Sequence, residues 1–231
     1  MIPLRDNIPS LKKPIVTYTL IAVNFVVFLF QFLLPTRLEE IFVYKYGFVP
    51  TMFLSDIAEN GFHVSAIYPF FTSMFLHGSW THLISNMWSL WLFGDNVEDR
   101  LGHFRFILFY LLCGFLAMVS HFMFHTSSYI PAIGASGAIA GVMGAYFILF
   151  PYSRITTLIP VLFLPMFIKV PALVYLAVWF LLQLYNGAIS TFIGVRGSGI
   201  AWWAHIGGFL GGILLLKLLY TRRYRRPVYY E

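Results

Sequence analysis

Pro131-Ala132-Ile133-Gly134-Ala135-Ser136-Gly137-Ala138-Ile139-Ala140-Gly141-Val142-Met143-Gly144 is the stretch around which the rest of the chain is organised. It opens an apolar run, about 132–150, and its first turn holds one hydroxyl, Ser136, ringed by residues with almost no side chain. Small residues let neighbouring helices approach closely, and a helix start points free backbone N–H groups outward. A serine in such a turn is, taken alone, a packing residue or a partner of its own backbone. The same place suits a nucleophile, because anion-stabilising donors are already aimed there.

The surrounding composition says what kind of molecule holds it. Of 231 residues, 59% are hydrophobic and 10% charged, and the mean hydropathy is +0.78. A soluble domain carries about a quarter charged residues, so this is an all-α polytopic membrane protein with the lipid bilayer as its solvent. Residues 1–14 are polar and lack the apolar core and cleavage site of a signal peptide, so the first apolar helix is expected to remain. The single cysteine, Cys113, excludes an intramolecular disulfide or a Cys-rich metal site.

Six spans are expected: about 15–34, 82–94, 106–124, 132–150, 171–185 and 199–220. Pro35 ends the first. The 36–80 stretch carries Glu39, Glu40, Asp56 and Glu59 among many Phe and Tyr, and reads as short helices lying at the outer interface. A polar turn is expected over 95–102. Pro160, Pro165 and Lys169 mark 151–170 as a loop partly dipping into the interface, with a separate helix over 156–168 the open alternative. A Gly-rich loop is expected over 186–198 and a basic tail over 221–231. The whole, 1–231, reads as one membrane domain.

Cations set the orientation. Arg5, Lys12, Lys13, Arg100, Arg105, Arg154, Lys169, Lys217, Arg222, Arg223, Arg225 and Arg226 fall on one side, against Arg37, Lys45 and Arg196 on the other. The positive-inside rule then puts both chain ends in the cytoplasm. The +6 net charge is a topology signal, and no nucleic-acid partner is implied.

Three spans running outside-to-inside each carry polar residues within about two turns of the outer end: His82 and Asn86, then Ser136, then His205. Polar groups at that depth are costly and mark a protein-lined, wet cavity. A serine needs a base to take its proton, and His205 on another helix supplies one. Gly207, Gly208, Gly211 and Gly212 would let its helix approach the one carrying Gly137, Gly141 and Gly144. His82 and Asn86, at i and i+4, share a helix face, and with the Ser136 N–H they suit an oxyanion hole. No carboxylate lies at that depth, so the arrangement is a Ser-His dyad. His63, His103, His121 and His125 read as interface or loop residues without carboxylate partners, which argues against a metal. Asn24 reads as an interhelical hydrogen bond. Ser198, between Gly197 and Gly199, is a rival serine better read as linker.

Together these residues resemble the rhomboid family of intramembrane serine proteases over nearly the whole chain. Gly134-x-Ser136-Gly137-xxx-Gly141-xx-Gly144 is similar to that family's nucleophile motif, Ala204-His205-xx-Gly208-xxx-Gly212 to its base motif, and His82-xxx-Asn86 to its oxyanion motif. His77 stands at the family's preceding histidine, and Val97-Glu98-Asp99-Arg100-Leu101-Gly102 is similar to its second-loop motif. The resemblance implies a six-helix endopeptidase of a bacterial plasma membrane that cuts transmembrane protein substrates near the outer face, without metal or cofactor. It implies catalytic roles for Ser136 and His205, oxyanion roles for His82, Asn86 and the Ser136 N–H, and supporting roles for His77 and Gly134. The fifth span and the loop after it would be the substrate gate and cap. Two positions depart from the family's pattern. Tyr68-Pro69 replaces a Trp-Arg pair, and Ala140 replaces a tyrosine that stacks on the base, so that Trp202, Trp203 or an aromatic of the fifth span must hold His205. A catalytically inactive relative that binds or escorts membrane proteins is the alternative. A transporter is disfavoured by the lack of a midplane acid or an internal repeat.

Overall fold

The computed structural model describes residues 2–161, 164–193 and 200–220; Arg196, Ser198 and the basic tail lie outside them. A short strand, β1 (Ile2–Arg5), precedes α1 (Ile15–Leu33). Over the next stretch α2 (Thr36–Tyr46), α3 (Pro50–Asn60) and α4 (Tyr68–Thr72) form, with single 3₁₀ turns at Val64–Ile67 and Ser73–Phe75. Then come α5 (Trp80–Leu101), α6 (His103–Phe124), α7 (Ser136–Leu149), β2 (Arg154–Val161), β3 (Leu164–Pro171), α8 (Ala172–Ile193) and α9 (Trp202–Leu219). Four of these, α1, α6, α8 and α9, are long and apolar enough to cross a membrane. The chain is a helical, multi-pass membrane protein.

The other two expected spans depart from that length-and-apolarity pattern for physical reasons. α5 continues seven residues past the expected end at Gly94, through the stretch expected as a polar turn, and so carries Asp95, Glu98, Asp99 and Arg100 in its last turns. That continuation aims Glu98 at α1. Its buried carboxylate accepts the Val16 and Thr17 N–H groups at 2.9 and 2.7 Å and the Thr17 hydroxyl at 2.7 Å. α1 starts after Pro14 with no side-chain cap of its own, so an acid from more than 80 residues away caps its N-terminus and complements its dipole.

α7 starts at Ser136, not near Ala132. Its 14 residues rise about 21 Å, short of a ~30 Å hydrocarbon core. The extended approach to it is pinned by the outer segment: Phe48 and Ala132 exchange backbone hydrogen bonds at 3.1 and 2.8 Å, and the Gly134 N–H reaches the Ser73 carbonyl at 2.8 Å. Phe48 itself is buried among Phe53, Phe70 and Phe122. In place of the family's Trp-Arg pair, the Tyr68 hydroxyl donates to the Lys45 carbonyl at 2.9 Å, and Pro69 sits in the first turn of α4, where no N–H is needed.

Within the 151–170 segment, residues 154–161 and 164–170 are neither loop nor helix but strand. β2 and β3 form an antiparallel hairpin, and β1 adds to the other side of β2. Pro160 and Pro165, which suggest a loop, are register partners near the far end of the paired strands, where a missing N–H breaks no central ladder. The β-branched run Ile155-Thr156-Thr157 is the strand signal there. β1 is held by more than pairing: the Trp88 indole donates to the Pro3 carbonyl at 2.6 Å, and Asp6 accepts from Asn96 and from the Tyr146 hydroxyl. Burial pushes the Asp6 carboxyl above its usual pKa.

α8 also outruns its expected end at Tyr185. Asn186 Nδ2 donates to the Leu182 carbonyl, and the Ser190 and Thr191 hydroxyls donate to that of Gly187. Turn-forming residues thus spend their hydrogen bonds on their own helix.

Candidate active site

The centre of the bundle is a seam between α7 and α9. A Cβ added at Gly208 would overlap the Gly137 carbonyl, and one at Gly212 the Gly141 carbonyl. Backbones this close exclude any side chain, and the Gly-xxx-Gly spacing on both helices makes the contact continuous. The seam fixes where the two helix starts sit relative to each other. Ser136 is the first residue of α7 and His205 the fourth of α9, and His205 Nε2 lies 2.9 Å from Ser136 Oγ. Both are half-buried.

The other face of the imidazole has a partner that sequence reading missed. His205 Nδ1 is 2.9 Å from Oε1 of Gln183, a buried residue of α8. An amide oxygen only accepts, so Nδ1 carries the proton and Nε2 is left as the acceptor for the Ser136 hydroxyl. Gln183 Nε2 in turn donates to the Trp179 carbonyl at 3.2 Å. A search for carboxylates alone passes over this residue, although a glutamine inside an apolar span was itself the signal. The aromatic that takes the place of the missing tyrosine also comes from α8: the Trp179 ring lies 5.9 Å from that of His205, tilted by 34°. Trp202 meets His205 edge-on at 6.2 Å. Trp203 points elsewhere, stacking on Phe124 and donating to Thr191.

On the opposite side of Ser136 stands the start of α5. Ser79 caps that helix by accepting the His82 N–H at 3.1 Å, which puts His82 in the first turn and Asn86 one turn on. Both converge on Gly134, two residues before Ser136. Gly134 has φ 118°, and a Cβ there would fall 2.7 Å from His82 Nε2 and 3.6 Å from Asn86 Nδ2. Only glycine meets both the backbone and the space requirement. Asn86 Nδ2 is buried and has no hydrogen-bond partner among the described residues. The N–H groups of the first α7 turn, including that of Ser136, have no acceptor within their own helix.

His77 lies beneath His82, with ring centroids 5.0 Å apart at 67°. The Gln31 side chain spans its backbone, donating to the His77 carbonyl at 2.9 Å and accepting its N–H at 3.4 Å. Burial first, and the neighbouring His82 second, pull its pKa down to about 3, so it is a neutral wedge.

The remaining histidines correct the sequence reading in part. His63 pairs with Asp56 at 3.2 Å and His103 with Glu98 at 2.5 Å, so these two do have carboxylate partners. His121 is buried within α6 and stacks on His125 at 4.7 Å. Asn24 donates to Leu20 of its own helix, not across to another.

A profile of the Rhomboid domain matches residues 64–222. The presenilin-associated rhomboid-like protein, mitochondrial, of Homo sapiens is 36% identical over 104 residues, covering 43% of this chain and 26% of that protein. The RHOMBOID-like protein 6, mitochondrial, of Arabidopsis thaliana is 39% identical over 74 residues, 32% of this chain and 24% of the relative. The putative rhomboid protease YdcA of Bacillus subtilis (strain 168) is 37% identical over 75 residues, 32% of this chain and 37% of the relative. The matches thus span from about a quarter to somewhat over a third of the length of these relatives. The profile covers well over half of the chain, and the protein belongs to the rhomboid family.

Proposed function

We propose that this chain is an intramembrane serine endopeptidase that cuts transmembrane segments of membrane-protein substrates near the outer face. The observation that carries the reading is the 2.9 Å contact of Ser136 Oγ with His205 Nε2 beside a buried Asn86 Nδ2 that has no partner among the described residues. An orphaned buried donor costs about 1–3 kcal/mol. That cost is offset if the donor's partner is an oxygen that arrives with the substrate.

In this mechanism the Ser136 hydroxyl attacks the scissile carbonyl carbon while Nε2 of His205 takes its proton. The bond to the peptide nitrogen is then broken, and the same proton passes from His205 to the leaving amine. Water repeats the cycle on the acyl-enzyme, with His205 again the base. Charge on the tetrahedral oxygen is met by Asn86 Nδ2, His82 and the Ser136 N–H. Gln183 positions the imidazole and holds its tautomer, His77 wedges His82, and Gly134 keeps the approach to Ser136 clear. The excess of cations on one side supports an orientation with the β-sheet facing the cytoplasm. A bacterial plasma membrane is the setting we propose, although the named relatives include mitochondrial proteins as well as a bacterial one.

A fluorophosphonate probe on the purified protein in liposomes tests the assignment. Label mapped by mass spectrometry is expected on Ser136 and is expected to be absent in Ser136→Ala. Label on another serine, or a folded protein that takes none and cuts no transmembrane substrate, would favour the inactive binding or escort reading. A second expectation concerns the oxyanion site. Asn86→Ala should lower kcat by about 10²–10³-fold with little change in KM, because the lost bond forms only in the transition state. Steady-state cleavage of a fluorogenic transmembrane substrate reads this out.

A further inference from the structure

Among the described residues of the cation-rich side, the hairpin β2–β3 exposes a surface that does not suit water. In β3, Leu164 (77%), Pro165, Met166 (45%) and Phe167 (60%) are all exposed in succession, so both faces of its far end are apolar. A sheet facing water on one side alternates apolar and polar residues. Nearer the bundle the pattern changes. Ile155 and Thr157 of β2 are fully buried, while the opposite face carries cations. Arg5 pairs with Thr156 and Thr156 with Lys169, so the two cations lie in one row across the sheet. Arg154 is two residues along β2 and therefore on the same face. The next row outward on that face is Ile2, Leu158 and Phe167, all apolar. One surface thus changes from basic to apolar over two residues of strand, roughly 7 Å.

Three features select the occupant. β3 runs straight into α8, whose first turn exposes Leu173 and Val174, so the apolar surface of the hairpin is continuous with that of a membrane span. The outer edge of β3 is poorly suited to accept a further strand: Pro165 and Pro171 lack N–H groups, and Lys169 lies between them. The basic row matches the negative charge of a cytoplasmic leaflet.

We propose that the hairpin is a membrane-docking element whose apolar stretch 164–167 enters the lipid leaflet on the cation-rich side, while Arg5, Arg154 and Lys169 bind anionic phosphate headgroups. It lies at interfacial depth, where water still reaches the free strand edge.

The test needs no proteolysis and so stands apart from the catalytic reading. In a Cys113→Ala background, an environment-sensitive fluorophore is attached at Phe167→Cys, or at Leu11→Cys as an exposed reference. The full chain is reconstituted in phosphatidylcholine vesicles with and without phosphatidylglycerol. Lipids carrying a nitroxide close to the headgroup are expected to quench the Phe167 label, and iodide on both sides of the bilayer to quench it severalfold less than the Leu11 label. Phosphatidylglycerol should increase this protection, and Arg5→Gln/Arg154→Gln/Lys169→Gln should remove the increase. Iodide quenching equal at the two sites would overturn the proposal. So would protection that ignores phosphatidylglycerol, or protection that grows with the protein-to-lipid ratio, which would identify a second copy as the occupant.

Discussion

His205→Ala is expected to lower cleavage of a transmembrane substrate by on the order of 10⁴-fold or more, as loss of the base does in serine hydrolases generally. The serine then has no acceptor for its proton, since the only side-chain partner of Ser136 Oγ among the described hydrogen bonds is His205 Nε2. The same experiment separates the part played by Gln183. Alone, Gln183→Leu removes the acceptor for the Nδ1 proton and frees the ring to change tautomer or turn. A misplacement of that size costs roughly 10–100-fold. Gln183→Glu keeps an oxygen at 2.9 Å from Nδ1 and should restore most of the rate. In the His205→Ala background, Gln183→Leu should cost nothing further, because a positioning residue has no effect once the group it positions is gone. A loss of the same size in both backgrounds would show that Gln183 serves the packing of α8 and not the imidazole. Cleavage rates in liposomes, for the four combinations side by side, give the answer.

Gly208→Leu is expected to break the fold at its centre. The new side chain would overlap the Gly137 carbonyl, and a backbone atom cannot turn away as a side chain can. Overpacking of ordinary cores costs about 1–3 kcal/mol, and the cost here should lie at or above the top of that range. Thermal unfolding in detergent should show a marked drop in midpoint, and probe labelling of Ser136 should disappear even at temperatures where the helices persist. Leu210→Ala, two residues along on the exposed face of the same helix, should leave both nearly unchanged. If Gly208→Leu unfolds at the parent temperature and still labels, the seam does not set the distance between serine and histidine.

Much of this site is legible in the sequence because its requirements are local. His82 and Asn86 stand at i and i+4 behind the Ser79 cap, and Gly134 precedes Ser136 by two residues. The glycines recur at four-residue intervals on both helices of the seam. Each is a spacing within one element, and helical geometry converts such spacings into shared faces without further information. The composition fixed the solvent in the same way, since a chain this apolar and this poor in charge has only the bilayer to live in.

What required the tertiary structure was every relation between elements that have no common spacing. Gln183 meets His205 across 22 residues and Glu98 meets the start of α1 across more than 80, and nothing in either segment marks the other. The ends of α5 and α8 run past their turn-forming residues because those residues find hydrogen bonds along or beside the helix, and a propensity rule has no access to that. The prolines of 151–170 suggest a loop until the register shows them opposite each other at the end of a hairpin that the distant residues Ile2–Arg5 complete. The sequence by itself determined the bilayer as solvent, the helical bundle and the four residues around the serine, because short-range periodicity carries them. The second hydrogen-bond partner of His205, the cap on the first span and the three-stranded sheet were decided only by long-range packing, where free energy depends on which surfaces meet and not on their order in the chain.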